Sequence, residues 1–201
     1  MSKNKEALGK PCFSIPEMYT IAVKAFKSAK YVVNGQKSGL LPEALRERIM
    51  LAVTSVNKCA MCSYAHTEMA LQAGLSQEEI KCYLDGDFEN VPEEYAEAVL
   101  FAQHYADRRG HPSKDACQAL VKYYGLDKAR CIVAAARIIM LGNAGGMVLS
   151  SIKSRIHGEG GDPRSSIPYE ITAVLALAVI MPTAFIHASL SNLLHINPIK
   201  L

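Results

Sequence analysis

Along this chain apolar residues recur at three- and four-residue intervals, and turn residues interrupt the rhythm at short distances. Ser14 and Pro16 open a first helix, and Asn34-Gly35 predict its stop. Pro42 opens a second helix, in which Leu45, Ile49, Ala52, Val53 and Val56 fall on one face. Asn57 is expected to end it and to cap the next, which spans residues 59–73 and closes at Gly74. Ser76 with Glu79 fits a capping box, and Leu75 with Ile80 fits a hydrophobic staple. Further helices are expected from Pro92 to a stop at Gly110, over 113–124 closed by Gly125, and over 127–141 ending at Gly142-Asn143. A glycine-rich joint follows, then a flexible loop over 158–168 and a last helix over about 169–191. No alternating run reads as a strand. The pattern predicts an all-α chain: one helical-bundle domain over 1–201 with an N-terminal arm over 1–14.

An internal echo accompanies the pattern. Asn57 and Gly74 are seventeen apart, as are Asn143 and Gly160, and Gly145, Val148 and Ile152 stand where Cys59, Cys62 and His66 stand in the first span. A degenerate repeat and chance both account for so short a match.

Composition narrows the function classes. Half of the 201 residues are hydrophobic and 20% are charged, which is globular rather than disordered. The net charge of +3 is small and its lysines and arginines are scattered, so no nucleic-acid surface is expected. Tryptophan is absent and aromatics make up 7%, leaving few platforms for stacked bases. The charged N-terminus has no apolar run behind it, so no signal peptide is expected. The apolar run over 171–186 is shorter than the ~20 residues a spanning helix needs and holds Pro182. It reads as a core helix or one buried between subunits, not as a membrane span.

Six cysteines stand at 12, 59, 62, 82, 117 and 131. With a sizeable core and no leader, a cytoplasmic chain with mostly reduced thiols is expected, and a C-x-x-C pair is then kept for redox chemistry or metal. That pair, Cys59 and Cys62, is followed by His66 one helical turn later, so all three share a face. Residues three apart at a helix start bring two thiols within disulfide reach. The unpaired amides of a first turn favour thiolate over thiol, and a histidine one turn on can take or return a proton. Glu47 precedes Cys59 by twelve residues. Plainer readings stand beside this one: two buried thiols, or three ligands of a cramped zinc site. Glu47 alone would be a solvated helix charge. Tyr64, Met140, Met147, Cys82, Cys117 and Cys131 read as packing residues, Cys12 as an exposed thiol. His104 and His111, flanking Asp107, Arg108 and Arg109, read as a solvated helix end.

The glutamate, the interval of twelve, C-x-x-C-x-x-x-H and the closure "ALQAGLSQEEI" together resemble the alkyl hydroperoxidase branch of the carboxymuconolactone decarboxylase-like superfamily, over a motif core of 41–84. The resemblance implies an all-helical subunit of a homo-oligomer, often a trimer or hexamer. It implies a thiol peroxidase or disulfide reductase that acts on a small hydroperoxide and is restored by a dithiol, lipoyl or thioredoxin-like donor, without organic cofactor or metal. Residue by residue, Cys62 meets peroxide, Cys59 resolves, and His66 and Glu47 relay protons. The order of the thiols stays open: the helix start favours Cys59 as the more acidic, proximity to His66 favours Cys62. The chain departs from the peroxidase pattern at Met61, where that branch carries a further histidine; slower peroxide turnover or another oxidant follows from the loss. A redox sensor without turnover and a metal-binding helical protein are the alternatives.

Overall fold

The computed structural model describes residues 10–87, 91–194, 199 and 201, and within them finds seven helices and no strand. In chain order they are α1 (Ile15–Ser38), α2 (Glu43–Asn57), α3 (Ala60–Gln72), α4 (Gln77–Asp85), α5 (Glu93–Asp107), α6 (Lys114–Ile156) and α7 (Ile167–Leu193). Of the N-terminal arm, residues 1–9 lie outside the described residues. Residues 10–14 are tied down: Phe13 is buried, and its carbonyl accepts a hydrogen bond from the Tyr169 hydroxyl at 2.7 Å.

The all-α class holds, and the expected stops differ in two places. Helix α1 runs past Asn34-Gly35 and ends at Gly39, which takes the left-handed conformation (φ 75°). Gly35 is instead a packing residue inside the helix, since a Cβ there would lie 2.7 Å from Cys131 Sγ on α6. Helix α6 breaks at Gly125 (φ 75°, ψ 164°), as expected, but continues helical through Gly142, Asn143, Gly145 and Gly146 to Ile156. The seventeen-residue echo has no structural counterpart: the first span straddles a helix joint, the second begins within one helix.

The inner half of α6 forms the centre of the apolar core, with Ile132, Val133, Ala136, Met140 and Met147 buried among Leu45, Ile49, Leu51 and Val53 of α2. Helix α1 packs on α6 and α7, and α2 on α3, α4, α5 and α6. A buried polar ladder fixes α2 against α6. Asn57 Nδ2 donates to Asn143 Oδ1 at 2.8 Å, and Asn143 Nδ2 donates to Thr54 Oγ1 at 3.1 Å. Buried amides leave no unpaired groups only in that register, which makes the ladder a device for alignment.

At the start of α4 the Ser76 hydroxyl accepts from the Glu79 amide at 3.1 Å, half of the expected capping box. The Glu79 carboxylate turns away to Arg48 of α2 at 2.8 and 3.2 Å. Helix α7 gives only one face, Ala173, Ile180 and Ala184, to the core. It is long and apolar enough to cross a membrane by length and composition, and 22% of its most apolar window is buried. Leu175, Val179, Phe185 and Ile186 are exposed along it.

Candidate active site

The joint between α2 and α3 is where the chemistry-bearing residues meet. Helix α2 ends at Asn57, and Lys58 adopts the left-handed conformation (φ 53°), with its amide donating to Thr54 O at 2.8 Å. The chain reverses there, and Cys59, in extended conformation, becomes the N-cap of α3. Asn57 does not cap that helix, as the sequence suggested; its side chain is committed to Asn143. The cap acceptor is the Cys59 sulfur itself, which receives the Cys62 amide at 3.3 Å. A sulfur in this position faces the unpaired amides of the first turn, the setting that stabilises negative charge on it.

Cys59 and Cys62 form a disulfide, with Cα atoms 5.3 Å apart. Cys59 is fully buried, whereas Cys62 retains 7% of its surface. Gly146 of α6 lies directly behind the pair. A Cβ at that position would stand 2.7 Å from Cys62 Sγ and 2.8 Å from Cys59 Sγ, so only glycine lets α6 approach this closely.

Glu47 is fully buried on α2, and the structure brings it to His66. Glu47 Oε2 meets His66 Nδ1 at 2.7 Å, and Glu47 Oε1 accepts from Arg46 Nε at 2.8 Å. Burial pushes the Glu47 carboxyl up, but the hydrogen bonds and charges of His66 and Arg46 outweigh it and hold the group below its ordinary range. An ionised carboxylate only accepts, so Nδ1 of His66 carries a proton, and Nε2 is the nitrogen left to exchange one. His66 follows Cys62 by one turn on α3. The four singled-out residues thus form two bonded pairs: the sulfurs at the start of α3, and an acid–base pair that bridges α2 and α3.

Two further residues of the site carry no signal in the sequence. Gly146 stands in a stretch that reads as a helix break. Arg164 stands in a loop that reads as flexible. Its guanidinium, 8% exposed, donates to the carbonyls of Asn57 at 2.8 Å, Lys58 at 3.0 Å and Lys10 at 3.0 Å, and pairs with Asp162 at 2.5 Å. Burial raises the Asp162 carboxyl, but Arg164 more than offsets it and holds the group ionised below its usual range. Arg164 therefore satisfies the last carbonyls of α2 immediately before Cys59.

The remaining residues sort themselves. Met140 and Met147 are core residues, as expected, whereas Tyr64 is 75% exposed. Cys117 and Cys131 are buried, and burial pushes both thiols up, away from reactivity. Cys82 and Cys12 are partly buried, so Cys12 is not the exposed thiol that its place in the arm suggested. Met61, on the first turn of α3, is 39% exposed.

Residues 21–104 match the family model described as "Carboxymuconolactone decarboxylase family", a span that runs from α1 to α5 and includes Glu47, Cys59, Cys62 and His66. No curated protein and no solved structure matches the chain. Gly146 and Arg164 lie outside the matched span.

Proposed function

We propose that the chain, whose residues 21–104 match the carboxymuconolactone decarboxylase family model, is a thiol-dependent peroxidase and disulfide oxidoreductase of the alkyl hydroperoxidase type. The observation that carries the reading is a cysteine pair, closed as a disulfide at a helix N-cap, one turn ahead of a histidine whose ring is held by a buried carboxylate.

Roles follow from placement. In the reduced form Cys62, the more exposed sulfur, gives up its proton to Nε2 of His66. Its thiolate attacks the terminal oxygen of a hydroperoxide; the O–O bond breaks, Cys62 becomes a sulfenic acid, and the alkoxide takes a proton from His66 and leaves as alcohol. Cys59, whose thiolate is stabilised at the N-cap, attacks Cys62 Sγ; the disulfide forms and hydroxide leaves as water after protonation. An external dithiol restores both thiols. Its thiolate attacks Cys62, Cys59 departs as the stabilised thiolate, and the donor's second thiol then displaces Cys62 and becomes a disulfide. Glu47 fixes the tautomer and orientation of His66 throughout. No metal or organic cofactor enters the cycle.

The exposed face of α7 fits association with further copies of the same chain, as the trimer or hexamer of the family resemblance requires. No Asp, Glu, Lys or Arg interrupts residues 171–192.

The test is a small excess of alkyl hydroperoxide added to the fully reduced protein, read by peptide mass spectrometry. The Cys59–Cys62 disulfide is expected to form, Cys59→Ser to leave a sulfenic acid on Cys62, and Cys62→Ser to remain unreacted at position 59. Two thiols that stay reduced under these conditions would remove peroxide as the oxidant.

A further inference from the structure

The histidine and arginine cluster at the end of α5 is solvated at Asp107, Arg108 and His111, as expected, but His104 and Arg109 are partly buried and engaged. Arg109 reaches back to Glu17 of α1 in a two-point ion pair at 2.7 and 3.0 Å, and lies over the Phe13 ring. His104 Nε2 accepts the amide of Ser113, the residue that caps α6, at 3.0 Å. The Glu17–Arg109 pair borders a cavity of about 210 Å³ between α1, α5 and α6.

Besides the mutually paired Glu17 and Arg109, the cavity is faced by two cations that no carboxylate among the described residues reaches at ion-pair distance. Lys24 of α1 and Arg137 of α6 both line it, with His111 at the rim and the buried Tyr105 on the wall. Among the described residues neither Lys24 nor Arg137 has a carboxylate at ion-pair distance. The Lys24 ammonium has one protein acceptor, the Gly110 carbonyl at 2.9 Å. Arg137 spends Nη1 on the Ser28 hydroxyl at 2.9 Å, and its buried Nε has no hydrogen-bond partner. Glu17 also borders the space, but both of its oxygens are taken by Arg109.

Two half-buried cations packed side by side repel each other, and each has been drawn out of water. The cost is visible at their neighbours. Burial and then Arg137 lower the affinity of Lys24 for its proton, and Lys24 in turn lowers that of His111. A protein core without a ligand role for such a pair would place an acid between them, since a buried guanidinium with an idle donor is destabilising.

We propose that this cavity is a binding site for a small oxyanion, a carboxylate or phosphate group, held by the Lys24 ammonium, the Arg137 guanidinium and the His111 ring. The space admits a group of that size rather than a nucleotide or a peptide. The Tyr105 phenol, which burial keeps protonated, supplies a neutral donor beside the charges. Met140 forms part of the same wall, and its sulfur receives the Asn57 side-chain amide at 3.3 Å. The proposed anion would therefore sit one side chain away from the residue that ends α2, two positions before Cys59. The site stands independently of the peroxidase reading.

The experiment titrates inorganic phosphate, and separately malonate, into the full-length chain at constant ionic strength, following backbone amide shifts of Lys24, Gly110 and His111 by NMR. A saturable shift confined to this region is expected for at least one anion; its preference separates phosphate from carboxylate recognition. Lys24→Gln is expected to weaken binding about tenfold or more, the worth of one charge-assisted hydrogen bond, whereas Lys153→Gln on an exposed stretch of α6 leaves it unchanged. Arg137→Gln is expected to do the same as Lys24→Gln; should it fail to fold, the Lys24 variant decides. The proposal is overturned if neither anion gives a saturable shift, or if Lys24→Gln binds as tightly as the parent chain.

Discussion

Gly146 and Cys62 stand on different helices, and the absence of a side chain at one permits the position of the other. A methyl group added at Gly146 would lie 2.7 Å from the Cys62 sulfur and nearly as close to that of Cys59. Neither sulfur can retreat, because Cys59 caps α3 and both are buried. Gly146→Ala is expected to destabilise the oxidised protein by about 1–3 kcal/mol, the usual effect of overpacking. Gly145→Ala is the internal control. Its Cβ would find only Leu177 at 3.8 Å, an ordinary contact. Relief of a glycine within a helix should then stabilise by up to about 1 kcal/mol. Thermal unfolding of the two variants side by side distinguishes a packing requirement at one position from general intolerance of the stretch.

The Glu47–His66 pair makes a prediction about acid. Glu47 is held ionised below its ordinary range, so its native interactions contribute fully above a pH of about 4.3, the unfolded value, and are lost as pH falls through the folded one. Glu47→Gln should lower stability near neutral pH by about 1–3 kcal/mol, since it removes the buried carboxylate that bonds both Arg46 Nε and His66 Nδ1. It should also flatten the fall in stability below pH ~4. Thermal midpoints measured across that range test both. A variant whose acid profile parallels the parent's would mean that Glu47 is not the titrating group.

The same pair sets the expected catalytic effects. His66→Asn removes the proton acceptor beside Cys62 and should slow oxidation of the reduced pair by about 10²–10⁴ at neutral pH. Raising the pH should recover part of that rate, because hydroxide then supplies the thiolate that His66 no longer generates. Stopped-flow rates for the parent and variant from pH 6 to ~9 provide the check. Equal pH dependence in the two would remove His66 from the thiol's activation.

The helices around the cysteines were legible in the sequence because their signals are local. Ser14, Pro42, Ser76 and Gly125 act on their own turns, and the three–four spacing of Cys59, Cys62 and His66 survives any packing. Glu47 was placed by its interval in a family motif, not by chemistry that spacing could reveal. What escaped depends on distant partners. Gly35, Gly145 and Gly146 carry the same signature as a helix stop, yet lie inside helices; for Gly35 and Gly146 a cysteine on another helix fills the space a side chain would take. Arg164 follows Cys59 by more than a hundred residues in a loop of turn-forming composition. Nothing in its neighbours announces that it will serve the end of α2.

The exposed face of α7 yields a prediction about assembly. Leu175 and Val179 stand one turn apart and are both more than half exposed. If copies of the chain meet through this face, Leu175→Glu with Val179→Glu should shift the protein to a smaller species in sedimentation velocity without loss of helix content by circular dichroism. An unchanged sedimentation coefficient would place the subunit contact elsewhere.

Arg164 offers the sharpest separation of charge from geometry. Its planar fork bonds three backbone carbonyls while pairing with Asp162, a set of contacts that lysine, a single point of charge, cannot reproduce. Arg164→Lys keeps the cation near Asp162 but frees at least one carbonyl at the end of α2, and should cost about 1–2 kcal/mol. Arg164→Met leaves Asp162, in a largely buried place, with the amide of residue 164 but no cation, and should cost more, up to about 3–5 kcal/mol. The readout beyond stability is the Cys59 thiol in the reduced protein. Carbonyls released from Arg164 turn their negative ends loose beside that sulfur and loosen the turn that makes it the N-cap, so its pKa should rise in both variants. The pH dependence of alkylation at Cys59, followed by peptide mass spectrometry, measures this directly. A pKa that rises in Arg164→Met but not in Arg164→Lys would assign the effect to charge alone. A pKa unmoved in both would make Arg164 a structural clamp with no influence on the thiol.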